Sequence, residues 1–158
     1  MIDGDPTHPL ANDLLAVLRS ATRTPALELD APPQRLAGGF WAELIRFRLQ
    51  GAPPQWQGDL VARVMPDVDV ALKETVFQDE VAKQGYPTPI VQLAGGPDDG
   101  LGRPFMIMDL AVGASALDGL DGLRAIAVLP RLVRSLPGVL AEAMARLHRL
   151  DPAPCALA

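Results

Sequence analysis

An α+β fold built on an antiparallel sheet is what this sequence predicts, and three observations predict it. Residues 34–49 read as a hairpin, a short arm and a Gly-Gly pair followed by a second arm that alternates apolar and polar side chains, as a half-buried strand does. Residues 70–84 carry helical spacing and stop at Gly85, with Pro87 just beyond. Two further short apolar runs, 90–93 and 105–110, flank a turn made of Gly95-Gly96-Pro97-Asp98-Asp99-Gly100. Strands on one sheet with a single helix between the third and fourth form an α+β plan.

Taken in order, residues 9–22 read as a first helix, because Leu10, Leu14 and Leu18 fall at i, i+4 and i+8. Thr7 is its candidate N-cap, with Pro9 tolerated in the first turn. Pro32-Pro33 breaks the chain before the hairpin. Its first arm is 34–37; its second sets Ile45, Phe47 and Leu49 on one face and Arg46 and Arg48 on the other. Residues 51–58, with Pro53-Pro54, read as a loop, and 60–65 as a third strand stopped by Pro66. Along the next helix, Val70, Lys73, Glu74, Phe77, Val81 and Gln84 share one side. After 105–110 comes a connection of small residues, 113–122. The last third is helical, with Pro130 and Pro137 expected to interrupt it. Its cleanest piece is 139–150, with Leu140, Ala143, Met144 and Leu147 on one face.

Composition narrows the function classes. The chain has 158 residues, enough for one domain or for one lobe and the start of another. Aromatics are only 4%, so Leu, Val and Ala must fill most of the core. A net charge of −5 argues against a nucleic-acid partner held by general electrostatics. It leaves room for a small phosphate site, which backbone N–H groups and one or two cations can make locally. One cysteine, Cys155, allows neither a disulfide within the chain nor a cysteine metal cluster, and fits a reducing cytoplasm. The N-terminus is acidic, unlike a signal peptide, and no apolar run is long enough to span a membrane. Lysine occurs only at Lys73 and Lys83 while arginine is common, a usage typical of GC-rich bacterial genomes.

Five local features carry chemistry. Leu36-Ala37-Gly38-Gly39-Phe40-Trp41 is a small-residue loop whose backbone could approach phosphate oxygens closely, or a plain hairpin turn. Leu60-Val61-Ala62-Arg63-Val64-Met65-Pro66 puts a lone cation on a strand; a guanidinium fork suits phosphate, though such an Arg can equally face solvent. Lys73-Glu74 follows in the helix, eleven residues after Arg63 for Glu74, with Glu80 as a rival carboxylate. Gly85-Tyr86-Pro87-Thr88-Pro89 leads to a strand, and Gly102-Arg103-Pro104-Phe105-Met106-Ile107-Met108-Asp109-Leu110 to another, with Gly113 beyond. Leu140 to Asp151, with a Leu147-His148 pair, closes the series.

In this order the features resemble the N-terminal lobe of the aminoglycoside phosphotransferase family, most closely the branch related to the kinase domain of some acyl-CoA dehydrogenase fusions. The resemblance covers roughly residues 30–153. It implies a protein-kinase-like N-lobe, with five antiparallel strands and one helix between strands 3 and 4, followed by the first helices of an incomplete C-lobe. The corresponding boundaries are an N-terminal helical segment at 1–30, a nucleotide-binding lobe at 31–113, and a linker with truncated C-lobe helices at 114–158. Gly38, Gly39 and Phe40 would cover the phosphates of ATP or GTP. Arg63 would grip them and Glu74 would hold Arg63 in position. Met108 would back the base, and the backbone of Asp109, Leu110 and Ala111 would meet its edge with a donor and an acceptor. His148 and Cys155 are expected to be structural or inert.

The family's catalytic Asp, in a His-Gly-Asp context, is not found in these 158 residues, nor is a matching Mg²⁺-binding segment. Catalytic residues and metal ligands are therefore expected outside this chain, which alone is expected to be inactive. The expected partners are the nucleotide and either a C-lobe, a second chain or another copy docked on the exposed last helix, with no nucleic acid and no membrane. A non-catalytic interaction module that keeps the N-lobe fold is the alternative.

Overall fold

The computed structural model describes residues 9–36, 41–111 and 124–154, apart from the side chains of 124–128 and 131. Three helices and six short strands follow one another: α1 (Ala11–Thr22), β1 (Glu28–Leu29), β2 (Gln34–Leu36), β3 (Glu43–Gln50), β4 (Asp59–Val64), α2 (Val68–Lys83), β5 (Val91–Gly95), β6 (Phe105–Asp109) and α3 (Arg124–Leu147). The fold is α+β, with one open antiparallel sheet in the order β1-β3-β4-β6-β5, and β2 paired to β3 beside β1.

The sheet holds six strands rather than the five expected, so the helix falls between the fourth and fifth. The reason lies at Pro32-Pro33. β1 pairs with the end of β3 (Glu28 with Gln50, Leu29 with Leu49), and β2 pairs with its middle (Gln34 with Arg46, Leu36 with Leu44). Asp30 N–H still donates to Arg48 O at 2.9 Å. Two prolines then lack the N–H groups a ladder needs, so one edge strand is cut into two pieces.

Alternation along the strands gives the sheet two unlike faces. Ile45, Phe47 and Leu49 of β3, Leu60, Ala62 and Val64 of β4, and Phe105 and Ile107 of β6 all point one way and are buried. α1 covers them with Leu14 and Leu18. Arg19 Nε donates to Leu27 O at 2.9 Å, tying the helix to the edge of that core. Residues 51–58 are not a plain loop: Pro54–Trp56 forms a 3₁₀ turn that drives Trp56 into the same cluster. The opposite face carries Met65 and Met106, packed with Ala42 and Ala71 under α2.

Helix ends follow local chemistry. Thr7 lies outside the described residues; α1 starts at Ala11, and Leu10 at its N-cap offers no side-chain bond. α2 begins two residues before the expected start because Asp67 caps it, its Oδ1 accepting from Val70 N–H at 2.9 Å. At its far end Gly85 takes φ +80°, its N–H donates to Ala82 O, and Tyr86 N–H donates to Val81 O. That is the Schellman closure, and it needs a residue without a Cβ at the left-handed position.

Pro130 and Pro137 do not interrupt the last helix; both lie inside α3, which runs unbroken from Arg124 and ends at Leu147. They are seven residues apart, about two turns, so they fall on nearly the same side. Both are exposed. Each removes one intrahelical N–H and crowds the carbonyl four residues back, and the released carbonyls can turn to water as the helix continues. None of the described helices is long and apolar enough to cross a membrane.

Candidate functional site

Arg63 sits on the sheet face turned toward α2, opposite Leu44 on β3 and Met106 on β6. Strand alternation puts it there: Leu60, Ala62 and Val64 take the dry face, so Val61 and Arg63 take the other. Glu74 comes down from α2 to meet it, with Arg63 Nη2 2.7 Å from Glu74 Oε2. That oxygen is shielded from solvent yet receives no hydrogen bond of good geometry among the described residues. The contact is a close ion pair whose N–H does not point along the line to the oxygen. The side chains keep 26% and 36% exposure, so the pair itself adds at most about 1 kcal/mol to stability. The rival Glu80 is engaged elsewhere. Its Oε1 and Asp79 Oδ2 each lie 2.8 Å from Lys83 Nζ, and these bonds, Asp79's first, hold the Lys83 ammonium protonated above its ordinary range.

A cavity of about 390 Å³ opens beside the pair, lined by Arg63, Glu74, Phe77, Gln78, Val81, Tyr86, Thr88 and Leu147. Its walls come from β4, α2, the segment after α2 and the end of α3. It combines an apolar lining with a few convergent polar groups, as small-molecule sites do. A second cavity of about 320 Å³, between the first half of α2 and the β5–β6 turn, is lined mostly by apolar groups. Its one carboxylate, Asp99, already accepts from Gly96 N–H at 2.7 Å.

Met108 is half-buried on β6, on the same face as Arg63, and pairs in register with Val61 on one side and Val91 on the other. Beyond it, Asp109 N–H donates to Ile90 O at 3.2 Å and Leu110 N–H to Asp59 O at 2.9 Å. Those two donors are spent inside the sheet. Ala111 N–H donates to no carbonyl among the described residues, which makes it the donor left at this edge. Asp109 is also held through its side chain, Oδ1 accepting from Gln92 Nε2 at 3.2 Å. Gly38, Gly39 and Phe40 lie outside the described residues, as does Cys155.

Sequence reasoning missed two features of this face. Gln78 lies one helical turn beyond Glu74 and donates from Nε2 to Pro89 O at 2.9 Å and to Met108 Sδ at 3.2 Å. Its i+4 spacing from Glu74 was a readable signal. Arg46 and Arg48, expected only to face away from the core, share Asp59, with contacts of 3.0 and 2.9 Å. The hydrogen bond from Arg46, helped by Arg48, holds the Asp59 carboxyl below its ordinary range against the opposing effect of burial.

The last helix touches the site by its end. Leu147 is half-buried in the cavity wall, Tyr86 Oη donates to Ala143 O at 3.4 Å, and Gln84 and the Asp151 backbone exchange two bonds of 3.0 and 2.7 Å. Leu129, Val133, Leu140 and Met144 form a stripe that is at least half exposed. Leu147 lies on the same helical face as that stripe and, at the helix end, is half-buried against the cavity beside α2.

No protein-family model matches the sequence, and no solved structure matches it. Among curated proteins the chain is similar to a lipid-A-disaccharide synthase of Cupriavidus pinatubonensis (strain JMP 134 / LMG 1197), 35% identical over 107 residues. The similarity covers 61% of this chain and 24% of the synthase, so the chain spans about a quarter of that relative's length.

Proposed function

We propose that this chain is the nucleotide-binding lobe of a small-molecule phosphotransferase of the aminoglycoside phosphotransferase type, with a protein-kinase-like N-lobe. The observation that carries the reading is the Arg63–Glu74 pair, 2.7 Å apart between β4 and α2, on the sheet face that also presents Met108. Only one of the five guanidinium donors is needed to reach Glu74, so the remainder of the fork is free to grip phosphate oxygens. Val61 and Met108 would flank the base, and the Asp109–Ala111 edge would read it, with Ala111 N–H as donor. Gly38, Gly39 and Phe40 would close over the phosphates. ATP or GTP would arrive with Mg²⁺, whose ligands, like the catalytic base, would come from outside these residues. The strand order and the position of α2 support the same reading.

In such an enzyme the nucleotide lobe contributes positioning and charge neutralisation, and a second lobe brings the acceptor hydroxyl in line. The apolar stripe on α3 would be the seat of that second lobe, or of a second chain. That stripe also favours the other reading, a non-catalytic interaction module that uses α3 to recruit a partner. Disaccharide synthesis is not carried over from the curated relative, because three quarters of that protein has no counterpart here.

Titration calorimetry of the chain with Mg-ATP separates the two. The phosphotransferase reading expects saturable binding that Arg63→Ala weakens on the order of tenfold to a hundredfold, the scale of lost hydrogen bonds to a charged group. Equal affinity in wild type and Arg63→Ala would refute it.

A further inference from the structure

We infer that Gln78 is a positioning residue that holds both ends of the candidate nucleotide site in register. The inference rests on the nucleotide reading above for its purpose, but not for its geometry. α2 is anchored to the rest of the fold at two buried points, Ala71 and Val81. Between them Leu72 and Phe77 are exposed, at 61% and 49%, and no residue from 72 to 80 is fully buried, so the middle of the helix has no apolar anchor of its own. Glu74 and Gln78 occupy that middle.

Gln78 is the one α2 side chain among the described residues that hydrogen-bonds toward the strands. Its Nε2 donates to Pro89 O at 2.9 Å, on the segment entering β5. The same nitrogen donates to Met108 Sδ at 3.2 Å, on β6. A thioether accepts weakly, so the first bond bears the load and the second chooses the orientation of an otherwise adaptable side chain. One turn back along the helix, Glu74 reaches Arg63. A single amide therefore ties the carboxylate that sets the Arg63 guanidinium to the side chain that would back the base. The misaligned ion pair makes this dependence sharper. With no well-directed hydrogen bond between Arg63 and Glu74, the pair has little geometric preference of its own and takes its distance from where α2 is held.

The test uses the full chain and three variants: Gln78→Leu, which keeps the volume and removes the donors; Gln78→Glu, which turns a donor into an acceptor facing the Pro89 carbonyl; and Glu74→Gln as reference. Modification of individual arginines by phenylglyoxal is followed by peptide mass spectrometry at a temperature where circular dichroism shows every protein folded. Loss of Gln78 should raise the rate at Arg63 roughly two- to tenfold, the scale of one net hydrogen bond, toward the rate in Glu74→Gln. Arg46, Arg48 and Arg103, paired elsewhere, should keep their rates. A wild-type rate at Arg63 in both Gln78 variants overturns the inference, and so does a rise shared by all four arginines, which means general loosening. Mg-ATP affinity, measured alongside, keeps the two readings apart. A selective rise at Arg63 in a protein that never binds Mg-ATP upholds the positioning role and removes the nucleotide reading.

Discussion

On one side of the sheet Ile45, Phe47, Leu60, Ala62, Phe105 and Ile107 lie under α1, nearly all of them without measurable contact with water. On the other side the same strands present Arg46, Arg48, Asp59, Arg63 and Met108, with α2 lying over only part of them. The first face lowers free energy by removing apolar area from water, and any cut into it leaves a void. The second face gives up much of that burial to keep charged groups within reach of water. The division of labour follows from the two-residue period of a strand: one sequence must serve two solvents, and it does so on alternate residues.

This contrast is broken most forcefully on the dry face. Phe105→Ala should lose about 3–5 kcal/mol of stability in urea unfolding, since Phe105 is 1% exposed and packs in the main core cluster. Gly95→Ala should cost about 1–3 kcal/mol by the same measurement. An added Cβ would stand 2.7 Å from the Phe105 ring and 2.9 Å from Asp99 Cβ, at a backbone φ that is otherwise ordinary. On the charged face Glu74→Gln should change stability by no more than about 1 kcal/mol, because the pair is partly solvated. Its effect should appear as weaker Mg-ATP binding instead. A large stability loss at Glu74 would mean that the two faces do not differ as described.

A smaller effect depends on pH. Asp59 is held below its ordinary value of 3.8 by the hydrogen bond from Arg46. Its folded-state pKa is therefore lower than its unfolded one, so its contribution is complete above about pH 4 and is lost as pH falls through the depressed value. Asp59→Asn should flatten stability against pH in that acid window and leave its slope above pH 5 unchanged. An equally steep acid loss in the variant would place the titrating group elsewhere.

How far these faces were legible varies residue by residue. Ile45, Phe47 and Leu49 announced theirs by strict alternation with arginines. Arg63 and Glu74 could be paired from a resemblance in spacing, Glu74 being preferred to Glu80 for its distance to Gly85 and Tyr86-Pro87-Thr88-Pro89, and they do meet, while Glu80 pairs with Lys83. Leu27, Trp56 and Leu101 were not legible as core, because they come from irregular segments with no period to read. Gln78 escaped notice because a glutamine on a helix is ordinarily a solvated residue, and its partners are a carbonyl and a sulfur distant in sequence. The prolines of α3 misled for a different reason: each removes one N–H and crowds the carbonyl four residues back, but that local cost is carried by a long helix whose prolines are exposed, so the released carbonyls can meet water.

Nucleotide binding on the Arg63 face is tested most directly by a methyl NMR titration of the chain with Mg-ATP, because methyl groups report faces where backbone amides report only strands. The signals of Val61 and Met108 should shift and saturate together, while those of Ile45, Leu60 and Ile107 on the α1 face stay in place. Shifts confined to the α1 face, or no shift at saturating nucleotide, would contradict it.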